Sequence, residues 1–253
     1  MTSLATLIGI FKSNLYNDND FVRTAWLAND LTTLIVVIPA FLIVMLCQKK
    51  QGIKAELVWL GLLNYFLYNY AFYLFGAVFN SMFLLYVSIC FLSLFSIFGF
   101  LSTLQTSKIS FDAKVIKWVT VFLLLLSVML CLLEIPPCIQ FISTGKIPEL
   151  NLKTGLHTNI VYALDLTFIV PSMVIASILN VKENIWGRVI SIIMLVKAST
   201  YGLVLISGTI LLMQKGQTDP LLSVWIFITA GGIFGLYFML KKAVTNQSTR
   251  AFA

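Results

Sequence analysis

Charged side chains are scarce in this sequence. They make up 11% of the 253 residues, whereas 59% are hydrophobic and the mean hydropathy is +0.96. Soluble domains carry about 25% charged residues, so the shortage excludes an ordinary soluble protein and predicts one membrane-embedded bundle of helices. The net charge of +7 does not indicate nucleic-acid binding, because the basic residues lie in short loops beside apolar segments, as cytoplasmic loops of membrane proteins do.

Motifs for metals and cofactors are also missing. The single histidine and four cysteines form neither a CxxC pair nor an HExxH helix, which are typical of zinc sites. The sequence has no Gly-rich phosphate-binding loop and no GxSxG turn. The lysine that carries retinal in seven-helix retinal proteins lies in the last span, and the last span predicted here has no lysine. We therefore predict no metal and no cofactor.

Apolar length sets the number of spans. Residues 57–107 contain no charged side chain, and this stretch of about fifty residues is more than twice the roughly 20 that one crossing needs. It must therefore form two spans joined by a turn at Asn80-Ser81. Extended to the rest of the chain, the same length criterion predicts an all-α bundle of seven spans. These are residues 30–47, 57–80, 82–105, 115–133, 158–180, 189–213 and 220–240.

Basic residues set the orientation. Eleven lie in segments that this topology places in the cytoplasm, five lie outside, and Lys197 is within span six. The positive-inside rule then predicts a plasma-membrane protein with its N-terminus outside and its C-terminus in the cytoplasm. Residues 1–29 are expected to form an outer tail with a short interfacial segment, 30–240 the transmembrane domain, and 241–253 a cytoplasmic tail.

Polar residues enter the predicted spans at two main places. In span two, Tyr65, Asn69, Tyr73, Gly76 and Asn80 recur at helical spacing on a face roughly 80° wide, with Tyr68 beside them. Such a face must turn toward protein or water. It either hydrogen-bonds neighbouring helices or lines a pocket, and the sequence leaves both interpretations open.

The second place combines spans five and six. Asp165 lies about two turns inside span five, where an ionised carboxylate costs about 2.5 to 3.5 kcal/mol, and Tyr162 shares its helix face. Lys197 is the only cation in the interior of a predicted span, because Lys117 lies at the cytoplasmic end of span four, and Tyr201 follows Lys197 by one turn. Consecutive helices are usually neighbours, so we expect Asp165 and Lys197 to pair directly or through water.

Two acidic residues are expected at the outer helix ends. Asp30 is placed at the start of span one, and Glu134 ends span four, because Pro136 and Pro137 should stop that helix. Together with the residues above they outline a funnel that narrows from the outside toward Lys197.

Two sequence runs resemble a family of uncharacterised prokaryotic multi-pass membrane proteins. They are the run 68–76, YNYAFYLFG, with Phe79-Asn80 after it, and Leu164-Asp165-Leu166 followed by Pro171. The resemblance extends over spans one to six. It implies a prokaryotic multi-pass protein and carries no reaction or ligand.

These observations predict a pocket that admits a small polar or cationic ligand from outside, for sensing or transport. The predicted partners are this ligand and the lipid bilayer. The ligand-binding residues are Asp30, Tyr65, Asn69, Tyr73, Asn80, Glu134, Tyr162, Asp165, Lys197 and Tyr201. Two alternatives remain open: an accessory subunit whose polar groups only hold helices together, and an intramembrane enzyme that uses Asp165 as an acid or base.

The orientation is testable by cysteine labelling. A cysteine introduced at Ser81 or Gln217 should react with a membrane-impermeant thiol reagent from outside intact cells, and one at Ser110 should react only after permeabilisation. The opposite labelling pattern would invert the topology.

Overall fold

Helices account for most of the chain. The computed structural model describes residues 1–12, 14–104, 109–217 and 220–245. The end of predicted span three at residue 105 and the tail after residue 245 lie outside the described residues. The helices are α1 (Thr2–Phe11), α2 (Asp20–Thr32), α3 (Ile38–Gln51), α4 (Ile53–Gly76), α5 (Phe83–Thr103), α6 (Ala113–Thr144), α7 (Glu149–Thr154), α8 (Ile160–Leu164), α9 (Val170–Val181), α10 (Ile185–Gln214) and α11 (Leu222–Lys242). Two short strands, β1 (Ile109–Ser110) and β2 (Val244–Thr245), pair antiparallel.

Six helical segments of the described chain are long and apolar enough to cross a membrane. They are Asp20–Gln48, Phe83–Thr103, Ala113–Thr144, Ile160–Val181, Ile185–Gln214 and Leu222–Lys242. Helix α4, which occupies the second predicted span, is not among them. Its 24 residues give a length of about 36 Å, but its asparagines and tyrosines lower its mean hydropathy. The structure therefore supports a multi-pass helical membrane protein, and a count of seven depends on α4.

Span one begins earlier than predicted. Asn19 caps α2 by accepting a hydrogen bond from the Val22 N–H at 3.0 Å, and the helix then continues without a break through the segment Thr33–Val37 into α3. Asp30 consequently lies inside the helix and is buried, not at its outer edge. Trp26 is buried as well. The cap and the apolar spacing after it were the signal for this start.

Two membrane helices contain a π-helical segment before a proline. In one, Thr33–Val37 joins α2 to α3 ahead of Pro39; in the other, Asp165–Ile169 joins α8 to α9 ahead of Pro171. Proline cannot donate the backbone hydrogen bond to the residue four positions earlier, and its ring crowds that carbonyl. A wider π turn accommodates this local change, and such turns often accompany functional sites.

Helix α6 corrects the expected stop at Pro136 and Pro137. It runs for 32 residues through both prolines and ends only at Thr144. Proline's fixed φ is compatible with a helix, and each ring removes a single backbone hydrogen bond, so the helix can continue on both sides. Glu134 is therefore inside α6 and buried, not at a solvated helix end.

The connections gather at two ends of the bundle. At one end, Asn19 Nδ2 donates to the Thr154 carbonyl at 2.8 Å, and the Val78 N–H donates to Asp18 Oδ1 at 3.2 Å. We call this end the N-terminal face. At the other end, β2 after the last helix pairs with β1 between α5 and α6. Between the two ends, α10 packs against α2, α4, α9 and α11, and it is the best buried of the six apolar segments.

Helix α1 packs on the bundle with one face. Ala5 and Thr6 are buried, while Phe11 is largely exposed, as expected for a helix that lies at a membrane surface. Gly9 meets the bundle closely, because a Cβ there would overlap Asp30 Oδ2 and lie 2.6 Å from the Tyr16 hydroxyl.

This contact makes Gly9 a sensitive position. Gly9→Ala should displace α1 and destabilise the protein by about 1 to 3 kcal/mol, as overpacking does, despite alanine's higher helix propensity. Gly99→Ala is the control, since a Cβ at Gly99 has no neighbour within 4 Å and should be neutral or slightly stabilising. The measurement is thermal unfolding in detergent. Equal effects of the two substitutions would show that α1 does not pack here.

Candidate functional site

Lys197 lies in the middle of α10 and is buried. Its Nζ is 3.4 Å from the centroid of the Tyr68 ring and 4.3 Å from that of Tyr201. A cation over an aromatic face is attracted by the ring quadrupole, and the attraction is worth about 2 kcal/mol where water is excluded. Two tyrosines, one from α4 and one from α10 itself, therefore hold the lysine side chain.

Tyr68 also connects the lysine to Asp165. Its hydroxyl donates a hydrogen bond to Asp165 Oδ1, while its ring faces the ammonium. The expected direct pair is not formed: the ion pairs among the described residues are all at the surface and do not involve Asp165 or Lys197. The tyrosine occupies the position between the two charges, and its hydroxyl and ring can satisfy both at once.

Glu134 reaches the same group from α6. Its carboxyl group lies within hydrogen-bonding reach of Asp165, where a proton shared by the two acids would serve one oxygen of each, and it also faces the charge of Lys197. Glu134 Oε2 is buried and has no hydrogen-bond partner among the described residues. Two acidic side chains thus face one lysine. If all three ionise, one negative charge lacks a cation, and a buried unpaired charge is strongly unfavourable.

A cavity of about 730 Å³ adjoins this group. It extends from the loops of the N-terminal face down to Lys197. Polar and charged residues line the cavity mainly in two places. One is the deep wall formed by α6, α8 with the π-helical segment after it, and α10. The other is the mouth at the N-terminal face, which is lined by Glu149, Lys153, Thr154, Thr158, Asn159 and Gln217. Five of the predicted ligand-binding residues line the cavity: Glu134, Tyr162, Asp165, Lys197 and Tyr201. We call these five the polar wall.

The other five predicted residues lie away from the cavity. Tyr65 hydrogen-bonds to Thr33 Oγ1 at 2.7 Å, and Asn69 is buried within the bundle. Asn80 follows the end of α4 and belongs to the turn before α5, where its Oδ1 accepts from the Met82 N–H at 2.9 Å. These contacts are made inside the protein or within a turn.

Asp30 and Tyr73 form a separate, closed cluster. Tyr16 OH donates to Asp30 Oδ2 at 2.8 Å and Tyr73 OH donates to Asp30 Oδ1 at 2.9 Å, so both carboxylate oxygens have a donor. The Tyr73 ring stacks on Trp26 at 4.6 Å between centroids. The hydrogen bond from Tyr73 to Asp30 joins α4 to α2. Such a bond is expected if the polar face of span two serves to hold neighbouring helices together.

The positions of these residues follow from helix geometry. Successive residues of α4 are rotated by about 100°, so Tyr65 and Tyr73 point toward α2 and its π-helical extension, whereas Phe72, one residue before Tyr73, lines the cavity. Gly76, the stripe residue at the end of α4, also lines the cavity, so the predicted stripe reaches the pocket only at this end. Tyr68, noted only as its neighbour, holds the lysine.

Asn29 is a cavity residue that the sequence pattern did not indicate. It lines the cavity from α2, and its Oδ1 is buried without a partner among the described residues. It fell in the predicted outer tail, because span one was expected to begin one residue later. The N-cap at Asn19 was the signal that would have placed it in a helix.

Comparison of the chain with protein-family models, curated proteins and solved structures gave no match. The resemblance of the two sequence runs to a prokaryotic membrane-protein family thus stays an expectation. Function is therefore inferred from the geometry of the polar wall and its cavity.

Energetic coupling across Tyr68 can be measured with a double-mutant cycle. Asp165→Asn should lower stability in detergent less than Lys197→Met, because Glu134 still faces the lysine. Lys197→Met leaves two buried acidic side chains without their cation and should cost about 3 to 5 kcal/mol. The double variant should recover much of this loss.

Asp30→Asn is the matched control for the cycle. It removes a buried acid that lies in the other cluster, so its loss should add to that of Lys197→Met. Additive losses for Asp165 and Lys197 as well would show that the two side chains are not coupled.

Proposed function

We propose that the protein is a seven-span plasma-membrane protein that binds a small cationic ligand, an amine or related ammonium compound, at the polar wall, for sensing or transport. The N-terminus lies outside, so the cavity opens to the exterior at the N-terminal face. The observation that carries the proposal is Glu134, which lines the cavity and has a buried oxygen without a donor among the described residues.

Charge favours a cation. The polar wall holds two acidic side chains and one lysine whose ammonium already faces two aromatic rings. A ligand ammonium would supply the missing hydrogen-bond donor to Glu134 and balance the second carboxylate. The tyrosines add aromatic faces, which recognise ammonium groups.

The closed cluster at Asp30 offers an internal comparison. There, two tyrosine hydroxyls satisfy both carboxylate oxygens, as expected of a purely structural acid. Within the described part of the chain, Glu134 Oε2 lacks such a donor, and it borders a cavity of a size typical of ligand sites. This contrast favours ligand binding over a solely structural role for the polar wall.

Topology supports the seven-span count. Helix α4 connects the two ends of the bundle: its start follows α3 directly at Gly52, and its end leads to the loop that bonds Asp18 at the N-terminal face. Helix α4 packs between α3, α5 and α10, so its polar residues are turned toward protein, where they are tolerated.

Binding can be tested with n-butylamine and its neutral counterpart n-butanol on the protein in lipid nanodiscs. The amine should raise the unfolding temperature in a saturable manner, corresponding to about 2.7 kcal/mol at a hundredfold excess over Kd. The alcohol should have no saturable effect, since it carries no charge.

Two variants locate the binding site. Glu134→Gln should abolish the stabilisation by butylamine, because it removes the unpaired carboxylate, and Asp30→Asn should retain it. Stabilisation by the alcohol equal to that by the amine, or an undiminished amine effect in Glu134→Gln, would refute cation binding at this wall.

A further inference from the structure

The cavity is much larger than an ammonium group requires. We propose that the ligand is an amphipathic amine, and that its apolar chain lies in a cleft between α6 and α11 while its ammonium binds Glu134. This inference rests on the proposed function and specifies the ligand class. It follows from how the two helices meet and separate.

The two helices meet closely at Phe122. A Cβ at Gly231 would overlap the Phe122 ring, so the glycine permits the approach. The Phe122 ring also lies 6.3 Å from the Phe227 ring between centroids. This contact closes the bottom of the cleft on the side away from the N-terminal face.

Toward the N-terminal face, the same two helices line the cavity. Apart from Glu134 and the prolines Pro137 and Pro220, the contributing side chains are Leu126, Met129, Leu130 and Leu133 from α6, and Leu221, Trp225 and Ile228 from α11 and the residue before it. The four residues of α6 have the spacing of a single helix face, which extends about 10 Å along the axis. We call this apolar stretch the α6–α11 cleft.

The cleft is continuous with the polar wall. Glu134 directly follows Leu133 in α6, and both line the same cavity. A molecule whose ammonium binds Glu134 can therefore place a chain along Leu133, Leu130 and Leu126 without leaving the cavity. Each methylene group of the ligand chain that is fully removed from water should strengthen binding about fourfold.

The α6 side of the cleft is lipid-facing. Leu125 is 60% and Leu132 is 69% exposed beside it, and Leu133, which lines the cleft, is itself 38% exposed. On the side of α11 away from the cleft, Ile226 is 51% exposed. In a membrane such side chains contact acyl chains, so the α6–α11 cleft borders the hydrocarbon region. The occupant we infer is therefore a single-chain amine dissolved in the bilayer, with its chain aligned beside the lipids.

The test compares n-butylamine with n-decylamine on the protein in nanodiscs, with affinities expressed against free aqueous amine. Decylamine should bind at least about tenfold more tightly than butylamine, given the gain of about fourfold for each fully buried methylene. In Ile228→Trp, which fills the cleft, most of this advantage should disappear, and butylamine should bind within about twofold of the wild type.

Ile226→Trp is the matched control, because it introduces the same side chain two positions away on the lipid-facing side of α11. It should leave both affinities unchanged. Leu133→Trp fills the cleft from α6, and it replaces Ile228→Trp if that variant does not fold.

The outcomes separate the two proposals. If butylamine binds but chain length gives no advantage, or the advantage persists in the cleft-filling variants, the amphipathic ligand is refuted and cation binding stands. If neither amine binds the wild type, the proposed function itself fails. Equal losses for Ile226→Trp and Ile228→Trp would also refute the cleft, since they would reflect a general effect of tryptophan on α11.

Discussion

The burial of one lysine inside a membrane helix constrains the rest of this structure. A charge in the middle of a span costs about 2.5 to 3.5 kcal/mol even on the mildest insertion scale. Lys197 lies on α10, the helix that packs against α2, α4, α9 and α11. The ammonium is held by the rings of Tyr68 and Tyr201 and by the charges of Asp165 and Glu134. These four side chains come from four different helical segments. Their contacts with the lysine therefore fix how those segments pack around it.

The two buried acid clusters differ in how many hydrogen-bond donors reach each carboxyl group. Asp30 receives one tyrosine hydroxyl on each oxygen, and the cluster needs nothing further. In the other cluster Tyr68 donates to Asp165, but Glu134 Oε2 has no donor among the described residues. Both clusters contain buried carboxyl groups, and the oxygen without a donor in the second cluster is the basis of the proposed ligand site.

Prolines accompany each of these acids. Asp30, Glu134 and Asp165 all precede a proline in the same continuous helix, namely Pro39, Pro136 and Pro171. Two of these prolines follow a π-helical segment, and the third lies beside Pro137, which lines the cavity. Irregular backbone at membrane depth is tolerated where it is buried in protein or borders a cavity. The placement of the prolines is thus consistent with helices that are reshaped around buried polar groups.

The sequence by itself determined the helical membrane architecture, because apolar length and scarcity of charge leave no other solution. It also singled out Asp165, Lys197, Glu134 and Tyr201, since a polar group in an apolar span is conspicuous without any structure. It could not say which face of α4 meets α10. Rotating α4 by 100° about its axis puts Asn69 in the place of Tyr68 and leaves the helical spacing of its polar residues unchanged. It misplaced the start of span one and the end of α6, because caps and prolines act locally whereas packing decides whether a helix continues. Only the tertiary structure separated Asp30 from the polar wall, since which donors reach a carboxylate depends on helices far apart in the chain.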